Sequence, residues 1–213
     1  LMLRAFATRV PDSKIAHEAT GLARRDYPPF LFNHCIRTFW FADAIAENGS
    51  RFDREIVYLA AILHDLGVLE PYDLGRRFEV DGAQAARDFL LERAYPSDKA
   101  DLVWDAIALH TSLGIADYST TPEIALVCLG AFADAAGLGV TDLDPGFVRE
   151  LIEAFPRLDF PNEWLRVLIE QVKQKPSLAC NTFMEKVGKE NVPGFTCPSV
   201  IQSLGSNTLD TKR

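Results

Sequence analysis

At 213 residues the chain suffices for one domain of ordinary size with a substantial core, or at most two small ones. Lys and Arg number 22 against 30 Asp and Glu, a formal charge of −8 that argues against nucleic-acid binding, which a basic patch normally announces. Hydrophobic residues at 48% and charged residues at 24% exclude a disordered chain. Cys35, Cys128, Cys180 and Cys197 contain no CxxC pair, so reduced thiols are expected rather than a disulfide framework or a thiolate zinc site. The longest apolar run, Ile124 to Ala133, stops at Asp134, short of the 18 or so residues that a membrane span needs. The stretch Leu1 to Phe6 is too short for the core of a signal peptide. A soluble cytoplasmic protein is expected, with a small-molecule substrate, no nucleic acid and no membrane as partner, and homo-oligomerisation left open.

Proline and glycine divide the chain into segments with helical periodicity and none with strand alternation. Pro11-Asp12-Ser13 supplies an N-cap for a first helix ending near Tyr27, before Pro28-Pro29. A second helix is predicted from Phe30 to Asn48, closing at Gly49. Asp53 starts a third, carrying Ile56, Val57, Leu59, Ala60, Ile62 and Leu63, with Gly67 after it. The fourth covers Glu79 to Arg93, and the fifth runs from Pro96-Ser97 to His110. The sixth, Pro122 to Gly137, is apolar nearly all round, as befits a central buried helix. Two more fit Asp144 to Phe155 and Asn162 to Lys175, and a shorter one starts near Ser177. The reading is all-α: a lead-in helix over 1–27, a single helical-bundle domain over 28–187, and a polar tail over 188–213, packed on the surface or partly disordered.

Of four histidines, His17 lies among charges and reads as surface, whereas the other three face inward. His34 shares a helix face with Thr38, Phe41 and Ile45, and His110 ends a run in which Val103, Ala106 and Ile107 recur at helical spacing. Asp134 is the only charge between Glu123 and Asp142. A carboxylate buried there needs a cation, either an arginine such as Arg37 or a metal ion. His64 and Asp65 close an apolar stretch just before Leu66-Gly67. Consecutive side chains diverge by about 100° inside a helix, but at a helix end both can reach one ion. Two imidazoles and two carboxylates make a mixed N/O set suited to Zn²⁺, Fe²⁺, Mn²⁺ or Co²⁺ rather than Cu⁺.

The order His34, then His64-Asp65, then Asp134 resembles the H…HD…D signature of the HD-domain superfamily. The stretches Phe32–Arg37, Leu63–Gly67, Phe78–Ala83, Ala106–His110, Ala133-Asp134 and Ala154–Arg157 are similar to the cyanamide-hydratase-type branch, over roughly residues 28 to 195. The resemblance implies an HD-type helical bundle with one divalent transition metal in its core, zinc foremost and iron or manganese as alternatives. It implies His34, His64, Asp65 and Asp134 as ligands, and a metal-activated water attacking a small molecule. Val68 departs from the pattern, standing where relatives place Thr, Glu or Lys, and can neither shuttle protons nor bind phosphate. Dinuclear members use further histidines, and only His110 is to hand, which favours one ion.

Asp65 and His110 carry the catalytic expectation, His110 through proton transfer or substrate orientation. Glu79 either orients a ligand imidazole or caps the fourth helix, Arg37 balances buried charge or binds substrate, and Thr111 offers a hydroxyl to substrate. Three functions follow: hydration or hydrolysis of a small neutral molecule, phosphoester hydrolysis with Arg76 and Arg77 as anion ligands, or a structural or regulatory metal site.

Overall fold

The computed structural model describes residue 6, residues 10–46 and residues 51–205. The cap expected at Gly49 lies outside them. The chain forms two compact units, residues 1–164 and residues 165–213, and this division falls inside the span 28–187 that the sequence treats as one domain. Among the described residues there is no strand, and no helix is long and apolar enough to cross a membrane.

In the first unit, α1 (Lys14–Asp26) is capped by Ser13, whose hydroxyl accepts from the Ala16 amide at 3.2 Å. Helix α2 (Pro29–Ile45) begins with proline at its first position and is buried on nearly every face, from Phe30 to Ala42. Helix α3 (Arg54–Leu63) is capped by Asp53, whose side chain accepts from the Glu55 and Ile56 amides. Every residue from Ile56 to Leu63 is buried. Each such Leu or Ile contributes roughly 1.5–3 kcal/mol of transfer free energy, so α3 is the rod around which the unit condenses. It packs against α1, α2, α5 (Ser97–Leu109) and α6 (Pro122–Ala136), with α4 (Phe78–Leu91) also in contact.

Two close approaches need glycine. A 3₁₀ turn, Leu66–Val68, follows α3 and presses on the start of α4. A β-carbon on Gly67 would stand 2.0 Å from the Phe78 carbonyl oxygen and 2.5 Å from the Gly82 amide nitrogen. On α6, a β-carbon on Gly130 would lie 2.3 Å from the Thr38 carbonyl oxygen and 3.0 Å from the Ala42 β-carbon, so glycine lets α2 and α6 touch backbone to side chain. Helix α6 ends at Gly137, left-handed at φ 76°, whose amide returns to Ala133. Helix α7 (Pro145–Ala154) is capped by Asp144, and α8 (Phe160–Gln174) follows.

The second unit takes in the rest of α8, then α9 (Pro176–Ala179), α10 (Met184–Asn191) and α11 (Val200–Gly205), so part of the expected polar tail is helical. Cys180 and Cys197 form a disulfide, which corrects the expectation of four reduced thiols. Two cysteines seventeen residues apart give no spacing signal, and only folding the chain between them brings the sulfurs together. Cys35 and Cys128 are buried free thiols.

Replacing Gly130 by Ala should lower stability by about 1–3 kcal/mol, because the added methyl meets backbone that cannot swing aside. Chemical denaturation of the two proteins measures the difference, and equal midpoints would mean that α2 and α6 are not in tight contact.

Candidate metal centre

The local folding of three helix ends and middles aims three imidazoles at one carboxylate. Helix α3 stops at Leu63, with His64 as its C-cap and Asp65 just beyond at φ −100°, ψ 13°. The departure from helical geometry lets adjacent side chains face the same point, as the sequence suggests. His110 occupies the same position at the end of α5. At these ends the carbonyls lack helical partners. Nδ1 of His64 donates to Ala61 O at 2.7 Å, and Nδ1 of His110 donates to Ile107 O at 2.6 Å. Each ring, when neutral, therefore keeps its lone pair on Nε2.

His34, in the middle of α2, donates from Nδ1 to Oδ2 of Asp134 at 2.6 Å. Its Nε2 stands 3.2 Å from Nε2 of His64. Around Asp65, Oδ2 lies 3.2 Å from His64 Nε2 and 3.6 Å from His34 Nε2, and Oδ1 lies 3.7 Å from His110 Nε2. His34, His64, Asp65 and His110 are 3%, 0%, 0% and 4% exposed. Both Asp65 oxygens are buried without a hydrogen-bond donor. Burial raises the affinity of Asp65 for a proton, but the charge of His64 more than offsets it and holds the carboxyl at about 2. Burial likewise disfavours a charged His64, yet Asp65 outweighs it and keeps that ring protonated well above the usual histidine range. His110 is driven down to about 4 by burial and then by the charge of His64. Burial also lowers His34, against the pull of Asp134.

His34, His64 and Asp65 can together hold a metal ion. A carboxylate without donors and inward-facing Nε2 atoms are what a divalent N/O site requires. Asp134 does not join them. It sits behind His34, with Oδ1 accepting from Arg37 Nε at 2.6 Å and Arg157 Nη1 at 3.2 Å, and Oδ2 accepting from Arg37 Nη2 at 2.9 Å as well as from His34. Arg37, one of the two cations that the sequence leaves open for Asp134, is thus bonded to it. These donors hold its carboxyl at about 2 despite burial. Arg37, fully buried, balances charge and also donates through Nη1 to Phe155 O at 2.9 Å and Pro156 O at 3.1 Å.

Glu79 bonds neither imidazole Nδ1 at the two helix ends, because main-chain carbonyls occupy both. Its Oε1 accepts from the Thr111 hydroxyl at 2.6 Å and from Arg77 Nη2 at 2.6 Å. Thr111 is thus committed as a donor beside His110. Arg76 is paired with Asp81, Nε to Oδ1 at 2.7 Å.

An aromatic enclosure escapes sequence reasoning. Rings follow one another in a closed circuit: His34 to His64 at 5.1 Å, His64 to His110 at 4.7 Å, His110 to Phe78 at 5.8 Å, Phe78 to Trp164 at 6.3 Å, Trp164 to Phe160 at 6.0 Å, and Phe160 back to His34 at 4.6 Å. Phe160 is nearly parallel to His34, with 27° between planes, and the Arg157 guanidinium carbon lies 5.1 Å from the Phe160 ring centroid. Trp164 and Phe160 belong to an amphipathic helix and look like ordinary core aromatics in sequence. Arg157 is visible only as part of the stretch Ala154–Arg157, with no partner in sight.

A protein-family model for the HD domain matches residues 31–137, half of the chain. That span opens just before His34 and closes just after Asp134. No curated protein matches the sequence.

Truncating Arg37 to Met should cost roughly 3–5 kcal/mol, because Asp134 is left buried without its bidentate partner. Urea unfolding of the metal-free protein measures this, and a loss below about 1 kcal/mol would place the pair outside the energetic core.

Proposed function

The chain belongs to the HD domain family, and on that premise we propose a mononuclear metal enzyme that hydrates or hydrolyses a compact neutral molecule. Members of the family are generally metal-dependent hydrolases. The observation that carries the reading is Asp65, a fully buried carboxylate whose oxygens meet no donor and face imidazole Nε2 atoms. His34, His64 and Asp65 would hold one divalent ion, zinc foremost, with iron or manganese as alternatives. Such an ion supplies Lewis acidity and activates water at neutral pH.

The chain's own residues define the rest. His110 is neutral at physiological pH, with Nδ1 fixed on Ile107 O and its Nε2 lone pair directed at Asp65, so it is placed to take a proton from an attacking water. Thr111 lies next to it, its hydroxyl oriented by Glu79, with lone pairs left to accept from a substrate N–H.

Substrate charge follows from how the neighbouring arginines are used. Arg37 and Arg157 are drawn to Asp134, Arg77 to Glu79, and Arg76 to Asp81. A phosphoester needs cations facing the reacting centre, and these guanidinium groups serve carboxylates instead. Val68 adds no polar group, and the rings of Phe160, Trp164 and Phe78 beside the imidazoles would make any substrate space there sparingly polar. A cyanamide-, nitrile- or amide-like molecule with one electrophilic carbon suits that space.

Elemental analysis should find about one transition-metal equivalent per wild-type chain and none in His64→Ala. Stripping the ion should also lower the melting temperature, since Asp65 then loses the cation that compensates its burial. Equal metal content in both proteins, or a melt unmoved by complete chelation, would contradict the site.

For the reaction, kcat/KM is compared for cyanamide, small nitriles, nucleoside monophosphates and a generic phosphodiester, with Zn²⁺, Fe²⁺ and Mn²⁺ in turn. Turnover of the neutral panel is expected, and His110→Ala should reduce kcat about 10²–10⁴-fold with the metal retained. Phosphoester cleavage alone would give the site to phosphohydrolysis, and no turnover with a tightly bound ion would make it structural or regulatory.

A further inference from the structure

The centre is sealed from solvent. His34, His64, Asp65 and His110 are each at most 4% exposed, so neither an ion nor a substrate reaches them until a side chain moves aside. Most approaches are closed by groups that cannot swing. Behind His34, the fully buried Arg37 is bonded to Asp134 and to the main chain at Phe155 and Pro156. Beyond His64, the backbones of Gly67 and Phe78 press together with no room for a β-carbon. Beside His110, the Thr111 hydroxyl and Arg77 Nη2 both donate to Glu79, each at 2.6 Å, which ties the end of α5 to the start of α4.

The remaining approach is aromatic. Of the six rings in the circuit, the three imidazoles, Phe78 and Phe160 are buried, and Trp164 alone is half-buried. Its indole reaches solvent while lying 6.2 Å from the His34 ring, 6.0 Å from Phe160 and 6.3 Å from Phe78. Trp164 is 16° from parallel with Phe160 and 30° from parallel with His34. Ring packing of this kind is weaker than a buried ion pair or a backbone contact, so the indole is the group that yields first. We propose that Trp164 is the gate of the centre and limits its substrate by size: the indole turns outward to admit a compact molecule and closes behind it. A cyano group is a narrow rod that passes with a small displacement, whereas a nitrile carrying an aromatic ring holds the gate open. What passes through rests on the function proposed above, but the gate itself is testable without metal or turnover.

Diethyl pyrocarbonate, a small electrophile that attacks an unprotonated imidazole nitrogen, reports access to the centre. Wild type, Trp164→Ala, Trp164→Phe and Gly130→Ala are treated alike as metal-free full chains. Labelling of His110 is followed by peptide mass spectrometry, with the exposed His17 as internal reference. Loss of the ring contacts should speed labelling of His110 about tenfold in Trp164→Ala. Trp164→Phe, which keeps an aromatic in place, should show a smaller acceleration of the same sign. Gly130→Ala strains the contact of α2 with α6, outside the circuit, and should label like wild type. Equal rates in wild type and both Trp164 variants overturn the gate, and so does an acceleration in Gly130→Ala as large as theirs. Substrate size is read from kcat/KM of the metal-loaded proteins with cyanamide and with benzonitrile. Trp164→Ala should raise the benzonitrile-to-cyanamide ratio about tenfold, and an unchanged ratio overturns the size limit. A wild type that turns over neither compound overturns the enzymatic reading instead, and the labelling then decides the gate by itself.

Discussion

A carboxylate taken out of water must be met by donors or by a cation, and Asp65 has no hydrogen-bond donor and only imidazoles close enough to carry a compensating charge. Its oxygens face the Nε2 atoms of His34, His64 and His110, which offer lone pairs rather than protons when the rings are neutral. The tautomers are not accidental, since each Nδ1 is committed to an oxygen that can only accept. An unpaired buried carboxylate costs several kcal/mol after relaxation. The structure tolerates it because the surrounding helices are apolar enough to condense regardless, with α3 wholly buried from Ile56 to Leu63. The same rod delivers His64 and Asp65 at its end. Stability and site are therefore built from one element, and the cation requirement is a consequence of how that element terminates.

Charge around the centre is sorted into two zones. Outside the ring of imidazoles, Asp134, Glu79 and Asp81 each hold an arginine: Arg37 with Arg157, Arg77 and Arg76 respectively. Inside it stands Asp65, with imidazoles and no guanidinium among its close charged neighbours. Buried acids outside are neutralised where they stand, so they do not compete for an incoming ion. The acid inside has only imidazole charge to offset it, and the field at the centre favours a cation. The guanidinium groups nearest the centre are each drawn to one of these outer carboxylates.

Much of this was legible in the sequence, and the illegible part has a common cause. Caps at Ser13, Asp53 and Asp144, proline at the starts of α2 and α6, and Gly137 at the end of α6 are local signals, and they mark the helices correctly. The isolated charge of Asp134 in an apolar helix showed that a cation must lie nearby. Which cation could not be read, because Arg37 is 97 positions away and Asp134 faces Nδ1 of His34 rather than Nε2, a difference that periodicity does not encode. Glu79 and Thr111 were marked as belonging near the site, but not as bonded to each other, since they are 32 positions apart. The disulfide between Cys180 and Cys197 and the stacking of Phe160 on His34 are likewise products of tertiary proximity alone.

The clamp on Asp134 and the aromatic enclosure are one construction seen from two sides. Arg157 donates to Asp134 and lies over Phe160, and Phe160 stacks on the very imidazole that Asp134 orients. Between Arg157 and Phe160 the chain passes through Leu158 and Asp159, both left-handed, at φ 52° and 58°. Non-glycine residues adopt that conformation at a cost of about 1–2 kcal/mol each. The turn is held against this cost because its two ends are fastened, Phe155 and Pro156 by Arg37 and Asn33, and Phe160 by the stack of His34 and Trp164. The same bonds that set the His34 ring plane thus set the position of the Phe160 wall facing it. A change in the clamp therefore moves the His34 ring and the Phe160 ring together, so the two orientations are coupled in this fold rather than independent.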